Sequence, residues 1–425
     1  MLGGLLLIAA AVSVPPLTGW RVHVRAPPLA AAWDPRWGIG TWPAVAIGAL
    51  ACLCAHELAR QMRWSRLLVA TYVAGLTWML ALAYVDGRYG IAHPLRSPSE
   101  YLLTARATDD VPGMLHDFVS RIGSTAAHPW PVHVAGHPPG ALLFFVLLVR
   151  LGLGTGFAAG MAVTMIAAST AVAVLIVVRR LGAEPVARKV APFLVFGPAA
   201  VWQAVSADAV FAAVAAWCLV AFAVAATSHR RIVWAILAGV LFGSCLMLSY
   251  GLVLLGVLAL AVLWLAGDFR PVVSATPAVA AVVAASAVLG VPYWSAWAAV
   301  HERYWAGIAA LRPTAYWLWA DLAAALLSAG PLAAAGLGNL ARPFLWRSAG
   351  PPERVPAVLG TAALLSILIA DASLMSKAEV ERIWLPFCPW LLLPVALLSV
   401  RWRRAGLVLQ VGTALAIQHL LFTMW

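Results

Sequence analysis

Polar residues in this chain are confined mostly to short stretches that separate long apolar runs. A helix needs about 20 apolar residues to cross the roughly 30 Å hydrocarbon core of a bilayer. Lipid favours helices, because they satisfy their backbone hydrogen bonds internally. The runs therefore predict an all-α, polytopic membrane helix bundle of about 13 spans. The predicted spans are 2–18, 43–59, 67–85, 157–178, 190–207, 209–228, 232–250, 251–267, 271–291, 315–340, 356–371, 384–400 and 405–423.

The apolar run 138–153 is read differently. It is short, starts with Pro138-Pro139 and contains Arg150. The basic patches between the other runs all fall on one side of the membrane only if this run does not cross it. Because cytoplasmic loops are enriched in Lys and Arg, we predict a re-entrant or membrane-surface helix here.

Composition supports membrane insertion and argues against nucleic acid as a partner. The 425 residues are 63% hydrophobic and 10% charged, whereas soluble domains carry about 25% charged residues. The net charge of +12 is spread over short patches between apolar runs rather than gathered on one soluble face. The five cysteines show no metal-ligand spacing and are interpreted as small core residues. We expect a multi-pass protein of the cell membrane whose partners include membrane lipid.

The acids gather on the side opposite to the basic patches. With the orientation above, twelve of the 16 Asp and Glu residues are predicted to be extracytoplasmic or at span ends facing outward. The longest polar stretch is the outer loop 86–137, and a loop of that length in a compact protein is usually functional. Chemistry at the outer face is one interpretation, and outer loops that are simply less basic are the other.

Two segments of the outer loop carry candidate chemistry. Residues 97–103 read SPSEYLL, in which Ser97 or Ser99 can cap a short surface helix that starts near Glu100. Residues 133–140 read HVAGHPPG and lead directly into an apolar helix.

This layout resembles the first outer loop of the GT-C glycosyltransferases. These include lipid A aminoarabinose transferases, protein O-mannosyltransferases and actinobacterial mannosyl- and arabinosyltransferases. Further segments are similar to later motifs of that family in the same order. They are 198–208, which ends at Asp208; 237–243, followed by Ser249-Tyr250; and 381–387, which reads ERIWLPF.

The resemblance implies one transmembrane domain over 1–425, with two N-terminal spans in 1–66, a GT-C-like module in 67–400 and a last span in 401–425. It implies an inverting membrane glycosyltransferase, for example a mannosyltransferase of the cell envelope. A hexosyl or pentosyl group would move from a polyprenyl-phosphate donor to a hydroxyl of a glycan, lipid or protein acceptor. The active site would be extracytoplasmic. No cofactor is assigned, and a divalent metal stays an open alternative.

Three acids are candidate catalytic residues. The family often shows Asp, or two adjacent acids, where this chain has Ser99-Glu100, so Glu100 is the first candidate base and Asp86 its rival. Asp208 is the candidate second acid. The alternative for Glu100 is a solvated acid in a helix first turn, and for Asp208 a helix N-cap.

Candidate substrate-binding residues follow from charge and position. Lys377, Arg382 and Arg303 are outer cations that can bind the donor phosphate. His137 is interpreted as a polar contact to sugar or phosphate, and Tyr250 comes from the family resemblance. His133 and His137 could share a metal on a helix, but Gly136 and Pro138 disfavour one, so no metal ligand is assigned.

Two other functions fit a polytopic chain. One is a flippase or transporter of lipid-linked sugars, although the sequence lacks the paired halves with interrupted helices that transporters often show. The other is a non-catalytic partner in a cell-envelope assembly complex.

Overall fold

The computed structural model describes residues 1–423, without the side chain of Phe344. Within these residues, seven helices are long and apolar enough to cross a membrane: Thr41–Gln61, Trp64–Asp86, Gly156–Arg180, Ala207–Thr227, Arg231–Leu248, Pro271–Val288 and Pro351–Ala372. An eighth span results if Thr314–Ala329 and Leu332–Ala341, which meet at 107°, act as one. The protein is therefore an all-α, membrane-embedded helix bundle, as the apolar runs predicted.

Four of the other five predicted spans form shorter or interrupted helices, and the fifth forms a 21-residue helix with three arginines in its first turns. Residues 190–207 divide into Glu184–Phe196 and Ala199–Gln203, because the backbone is extended at Gly197 before Pro198. The remaining four are Leu2–Thr18, Tyr250–Ala266, Cys388–Leu397 and the basic-tipped Val400–Leu420. The count of 13 is not confirmed by the described residues.

Short elements connect these helices. Among residues 1–423 they include Tyr89–Ala92, Pro94–Arg96, Tyr101–Arg106, Val111–His116, Val119–Arg121, Val132–Gly136, Tyr293–Trp305, Ile308–Ala310, Phe344–Arg347 and Val380–Ile383. Two short strands, Ala31–Trp33 and Leu421–Thr423, pair antiparallel, with Ala31 opposite Thr423 and Trp33 opposite Leu421. This pairing joins a segment near the start of the chain to the end of the last helix.

The bundle has two ends of different character. The N–H of Gly40, just before Thr41–Gln61, donates to the carbonyl of Tyr84 at 2.9 Å, so these two neighbouring spans run antiparallel. Gly156 lies directly against the carbonyl of Ala92, and Arg179 lies 4.5 Å from the Trp64 ring. We call the end with Asp86 and Ala92 the loop end, and the end with Trp64 and Arg179 the basic end. A 21-residue helix separates them by about 30 Å.

The run 138–153 is packed into the bundle. It forms the helix Pro139–Leu148 and a wider turn over Val149–Leu153, in which Gly152 has a φ of 77°. The side chains of Ala141, Leu142 and Phe145 are fully buried. At about 1.5 Å per residue, the 15 residues of Pro139–Leu153 extend about 22 Å, too short to cross alone. Its placement relative to the membrane surface stays a prediction.

The helix Ala207–Thr227 lies at the centre of the bundle. Seventeen of its 21 residues are buried, and small Ala side chains allow neighbouring helices to approach closely. The Ser206 side chain caps it by accepting from the Ala209 N–H at 3.2 Å. The alternative reading of Asp208 as the helix cap is therefore wrong, because Asp208 occupies the first turn.

Candidate functional site

Four polar side chains from distant parts of the chain meet at the loop end. Glu100 precedes the helix Tyr101–Arg106, His133 lies in Val132–Gly136, Asp208 begins the central helix, and Arg382 lies in Val380–Ile383. Each is at most 8% exposed. We call this group the Glu100 cluster.

Arg382 joins the two carboxylates of the cluster. Its Nη1 donates to Oε1 of Glu100 at 3.0 Å, and its Nε forms an ion pair with Oδ2 of Asp208 at 3.2 Å. Nδ1 of His133 lies 2.7 Å from the same Oε1, and Nε2 of His133 lies 3.3 Å from Nη2 of Arg382. The arrangement fits a His133 ring that donates from Nδ1 and accepts at Nε2.

The charges of the cluster keep Glu100 ionised. Burial acts to raise the pKa of Glu100, but the hydrogen bond from His133 and the positive charge of Arg382 outweigh it and lower the pKa below its ordinary value. Burial acts to lower the pKa of Arg382, and the neighbouring Asp208 and Glu100 carboxylates raise it overall. Arg382 contacts both acids, so its positive charge lies beside each of the two carboxylates.

Glu100 itself differs from the solvated acid considered above. It is 5% exposed, and the following Tyr101 and Leu102 are buried, so their helix is not a surface helix with a free first turn. Ser97 and Ser99 hydrogen-bond each other at 2.9 Å instead of capping this helix. Oε2 of Glu100 is buried and has no hydrogen-bond partner within residues 1–423. One carboxylate oxygen is therefore not engaged by the described part of the chain.

His137 lies beside the cluster. Its Nδ1 is 2.9 Å from the carbonyl of His133, and its ring lies 5.9 Å from Tyr101 and 5.6 Å from Phe211. Burial lowers the pKa of His137, which favours the neutral ring. The neutral ring leaves Nε2 as the acceptor when Nδ1 donates to the carbonyl.

Asp86 belongs to a separate contact set. Its Oδ1 lies 2.5 Å from Nε of Arg36, and its Oδ2 accepts from Nε2 of Gln418 at 3.1 Å. These residues border a cavity of about 50 Å³ that also touches His93 and Val205. Asp86 thus connects the N-terminal segment to the last helix and is not part of the Glu100 cluster.

Lys377 anchors its own loop. Its Nζ donates to the carbonyls of Ala309 and Arg312, both at 3.3 Å, and lies 4.5 Å from the Trp305 ring. Arg312 in turn forms a 3.0 Å ion pair with Glu379.

Leu374, Ala378 and Glu379 have left-handed backbone conformations, which are costly for residues other than glycine. The loop 373–383, which carries Arg382, is therefore held in a specific shape.

Arg303 and Tyr250 also lie in other surroundings. Arg303 donates to the carbonyls of Ile122 and Trp130, at 2.5 and 2.9 Å, and so braces the outer loop. The Tyr250 ring lies 5.3 Å from Tyr293. Of the eight predicted site residues, the structure brings together Glu100, Asp208 and Arg382, with His137 adjacent to them.

Two residues near the cluster were not assigned to it from sequence. His133 was considered only as a metal ligand. Glu381 is fully buried, its Oε1 accepts from the Ala30 N–H at 2.9 Å, and burial raises its pKa to about 7. The HVAGHPPG segment, which was already a candidate, could have pointed to His133. No sequence pattern marks Glu381 as more buried than its neighbours. Within residues 1–423, no group of three or more His, Cys, Asp or Glu side chains is arranged to hold a metal ion.

Comparison with known proteins does not extend this description. No protein-family model matches the chain, and neither a curated protein nor a solved structure matches it. Functional inference therefore rests on the residues of this chain.

Proposed function

We propose that this chain is a membrane glycosyltransferase of the GT-C type. It moves a hexosyl or pentosyl group from a polyprenyl-phosphate donor to an acceptor hydroxyl, with inversion, at the extracytoplasmic face of the cell membrane. The supporting observation is that Glu100 and Asp208, the acids of two separate family-like segments, both contact Arg382, while Oε2 of Glu100 has no hydrogen-bond partner among residues 1–423.

The proposed step is a direct displacement. Oε2 of Glu100 takes the proton of the acceptor hydroxyl as that oxygen bonds to the anomeric carbon. The bond from this carbon to the donor phosphate oxygen breaks, and the lipid phosphate leaves with the electron pair. General-base help of this kind contributes about 10²–10⁴-fold. Arg382 is the cation nearest to the base and can offset the negative charge that develops on the phosphate.

Asp208 and His133 act as positioning residues in this proposal. Asp208 forms an ion pair with Nε of Arg382, and His133 forms a hydrogen bond with Oε1 of Glu100. Both contacts direct the carboxylate so that its other oxygen faces the acceptor. Arg303 and Lys377 stay further candidates for the phosphate, although their donors already contact backbone carbonyls.

Transfer by purified protein tests the proposal. Parent protein is incubated with radiolabelled polyprenyl-phosphate mannose or arabinose and a panel of glycan, lipid and protein acceptors. We expect label to move to one acceptor class in the parent and not in Glu100→Gln. Asp110→Asn is the control, because Asp110 caps a helix of the same loop. Transbilayer movement of the donor without any transfer would instead indicate a lipid-linked sugar flippase.

A further inference from the structure

The basic end of the bundle contains a cavity of about 580 Å³, far from the Glu100 cluster. Three helix ends enclose it: the C-terminus of Thr41–Gln61 and the N-termini of Glu184–Phe196 and Val400–Leu420. The first of these is a candidate membrane span. The cavity therefore lies at the end of a candidate span, where lipid headgroups are expected if that helix crosses the membrane.

The lining of this cavity is strongly cationic. Its charged side chains are five Lys or Arg residues and two Glu residues, a formal charge of +3. The cations are Arg60, Arg188, Lys189, Arg403 and Arg404.

The two acids are already neutralised within the protein. Glu57 pairs with Arg60 at 2.5 Å. Glu184 pairs with Arg188 at 2.7 Å and with Arg179 at 2.8 Å. The positive charge that remains at the cavity comes from Lys189, Arg403 and Arg404.

Arg188 and Arg403 are fixed by contacts to backbone carbonyls. Nη1 of Arg188 donates to the carbonyls of Ala59 and Met62 at 3.0 and 2.8 Å, and Nη1 of Arg403 donates to that of Leu398 at 2.5 Å. Lys189 and Arg404 differ, since the side chain of neither one forms a hydrogen bond or an ion pair with another residue among 1–423. Burial and the charge of Arg403 lower the pKa of Lys189, and the charge of Glu353 opposes them only in part.

Apolar side chains lead from the cavity toward the lipid. Leu53 and Leu50 are 83% and 59% exposed and lie one and two turns from Glu57 on the same helix. Val408 is 57% exposed and lies one turn after Arg404. A ligand seated at the cations can therefore extend hydrocarbon chains along these surfaces.

We propose that this cavity binds the phosphate of an anionic lipid headgroup. Basic pockets between transmembrane helices on the cytoplasmic side are suited to such headgroups, and Arg and Lys both bind phosphate through charge-assisted hydrogen bonds. The proposal is independent of the glycosyltransferase reaction, because the Glu100 cluster lies at the other end of the bundle.

Native mass spectrometry of detergent-purified protein tests the site. Phosphatidylglycerol and phosphatidylcholine with identical acyl chains are added in turn, and bound lipid is counted. The parent should retain phosphatidylglycerol at least about tenfold better than phosphatidylcholine, and Lys189→Gln/Arg404→Gln should lower phosphatidylglycerol binding by about tenfold or more. Binding of phosphatidylcholine should be the same in both proteins.

Matched variants separate the cavity from its surroundings. Arg63→Gln/Arg66→Gln removes two exposed charges outside the cavity and should bind as the parent does. Lys189→Arg/Arg404→Lys keeps both charges and should also bind as the parent does. Equal loss in the two Gln pairs, or no loss in either, would overturn the proposal.

Soluble anions distinguish the source of the phosphate. Inorganic phosphate and glycerol 3-phosphate compete with phosphatidylglycerol in the same measurement. Weak competition at millimolar concentration supports a lipid, whose acyl chains add affinity. Binding of glycerol 3-phosphate as tight as that of phosphatidylglycerol would overturn the lipid assignment in favour of a soluble phosphate ester.

Discussion

Nη1 of Arg382 lies 3.0 Å from Oε1 of Glu100, although the two residues are 282 positions apart in the chain. Both side chains are buried, and a buried charge is costly unless an opposite charge and hydrogen bonds accompany it. Each charge therefore stabilises the other. Substitution of Glu100 should mainly change turnover, whereas substitution of Arg382 should mainly change the stability of the fold.

Glu100→Gln should abolish base function while keeping the shape of the side chain. Turnover of the lipid-phosphate donor should fall by about 10²-fold or more. Donor binding should stay close to that of the parent, because the amide still contacts Arg382 through its oxygen. Donor titration and single-turnover transfer measure the two quantities.

Asp86→Asn is the companion test for the base. Asp86 is held by Arg36 and Gln418, away from Arg382. We expect the variant to retain turnover. Loss of turnover in Asp86→Asn but not in Glu100→Gln would reverse the assignment of the base, and parental turnover in both would contradict the enzyme reading.

Arg382→Ala should destabilise the folded protein. It leaves Glu100 and Asp208 buried without their cation, and breaking a buried pair costs about 3–5 kcal/mol. The free energy of unfolding in detergent measures the loss. Arg401→Ala, which removes an exposed cation, is the control.

A neutral triple variant checks the cause of that loss. Arg382→Met with Glu100→Gln and Asp208→Asn removes all three charges together. It should recover much of the stability, because well-packed neutral groups often replace a buried ion pair at little cost. Parental stability in Arg382→Ala would show that the cation is not needed to keep the acids buried.

Lys377→Met should loosen the loop 373–383. The ammonium donates to two carbonyls, and hydrogen bonds from charged groups contribute about 1.5–3 kcal/mol each. Amide hydrogen exchange over residues 374–380 should therefore accelerate. If exchange is unchanged but donor binding weakens, Lys377 contacts the phosphate rather than only the loop.

Glu381→Gln should change how stability depends on pH. The folded-state pKa of Glu381 is about 7, above the ordinary value of about 4.3 for Glu. Stability from the neutral carboxyl is fully present below about pH 4 and is lost as pH rises through about 7. The variant stays neutral at every pH. Its free energy of unfolding should therefore increase relative to that of the parent as the pH rises from 5 to 8.

Thermal or denaturant unfolding at both pH values measures this difference. Glu302→Gln, at an exposed position, controls for the removal of one negative charge. A constant difference between Glu381→Gln and the parent from pH 5 to pH 8 would refute the raised pKa.

Membrane orientation can be tested by cysteine labelling on a background without the five native cysteines. Ser120→Cys and Ser124→Cys, both exposed in the outer loop, should react with an impermeant thiol reagent added outside intact cells. Arg180→Cys and Arg401→Cys, exposed at the basic end, should react only after permeabilisation. Outer labelling at 180 or 401 would overturn the non-crossing assignment of 138–153.

The sequence predicted the class of fold and part of the cluster for physical reasons. Apolar runs predict helices in lipid because the bilayer leaves few alternatives for the backbone. Asp208 could be singled out because an acid at the end of an apolar run is uncommon, whereas Glu100 was singled out by the family resemblance of its loop segment. The hydropathy of a run does not reveal a break such as the one at Gly197-Pro198, although Gly and Pro mark it, so helix number was harder to predict than helical character.

Tertiary contacts explain what was missed. Arg382 was predicted as an outer cation for phosphate, but its burial between two acids depends on residues 282 and 174 positions away. His133 reaches Glu100 only because their two loop segments fold together, with the His133 N–H donating to the Ser99 carbonyl at 3.1 Å. No local pattern encodes such a contact.

The pairing of Ala31–Trp33 with Leu421–Thr423 has a consequence for biosynthesis. The N–H of Ala30, next to the first strand, donates a hydrogen bond to Glu381, and Glu381 directly precedes Arg382 in the chain. A growing chain emerges from the ribosome in order, and its early parts usually fold first. Here the early segment can pair only after residues 421–423 have emerged, so the support behind Arg382 is completed long after residues 30–33 have been translated.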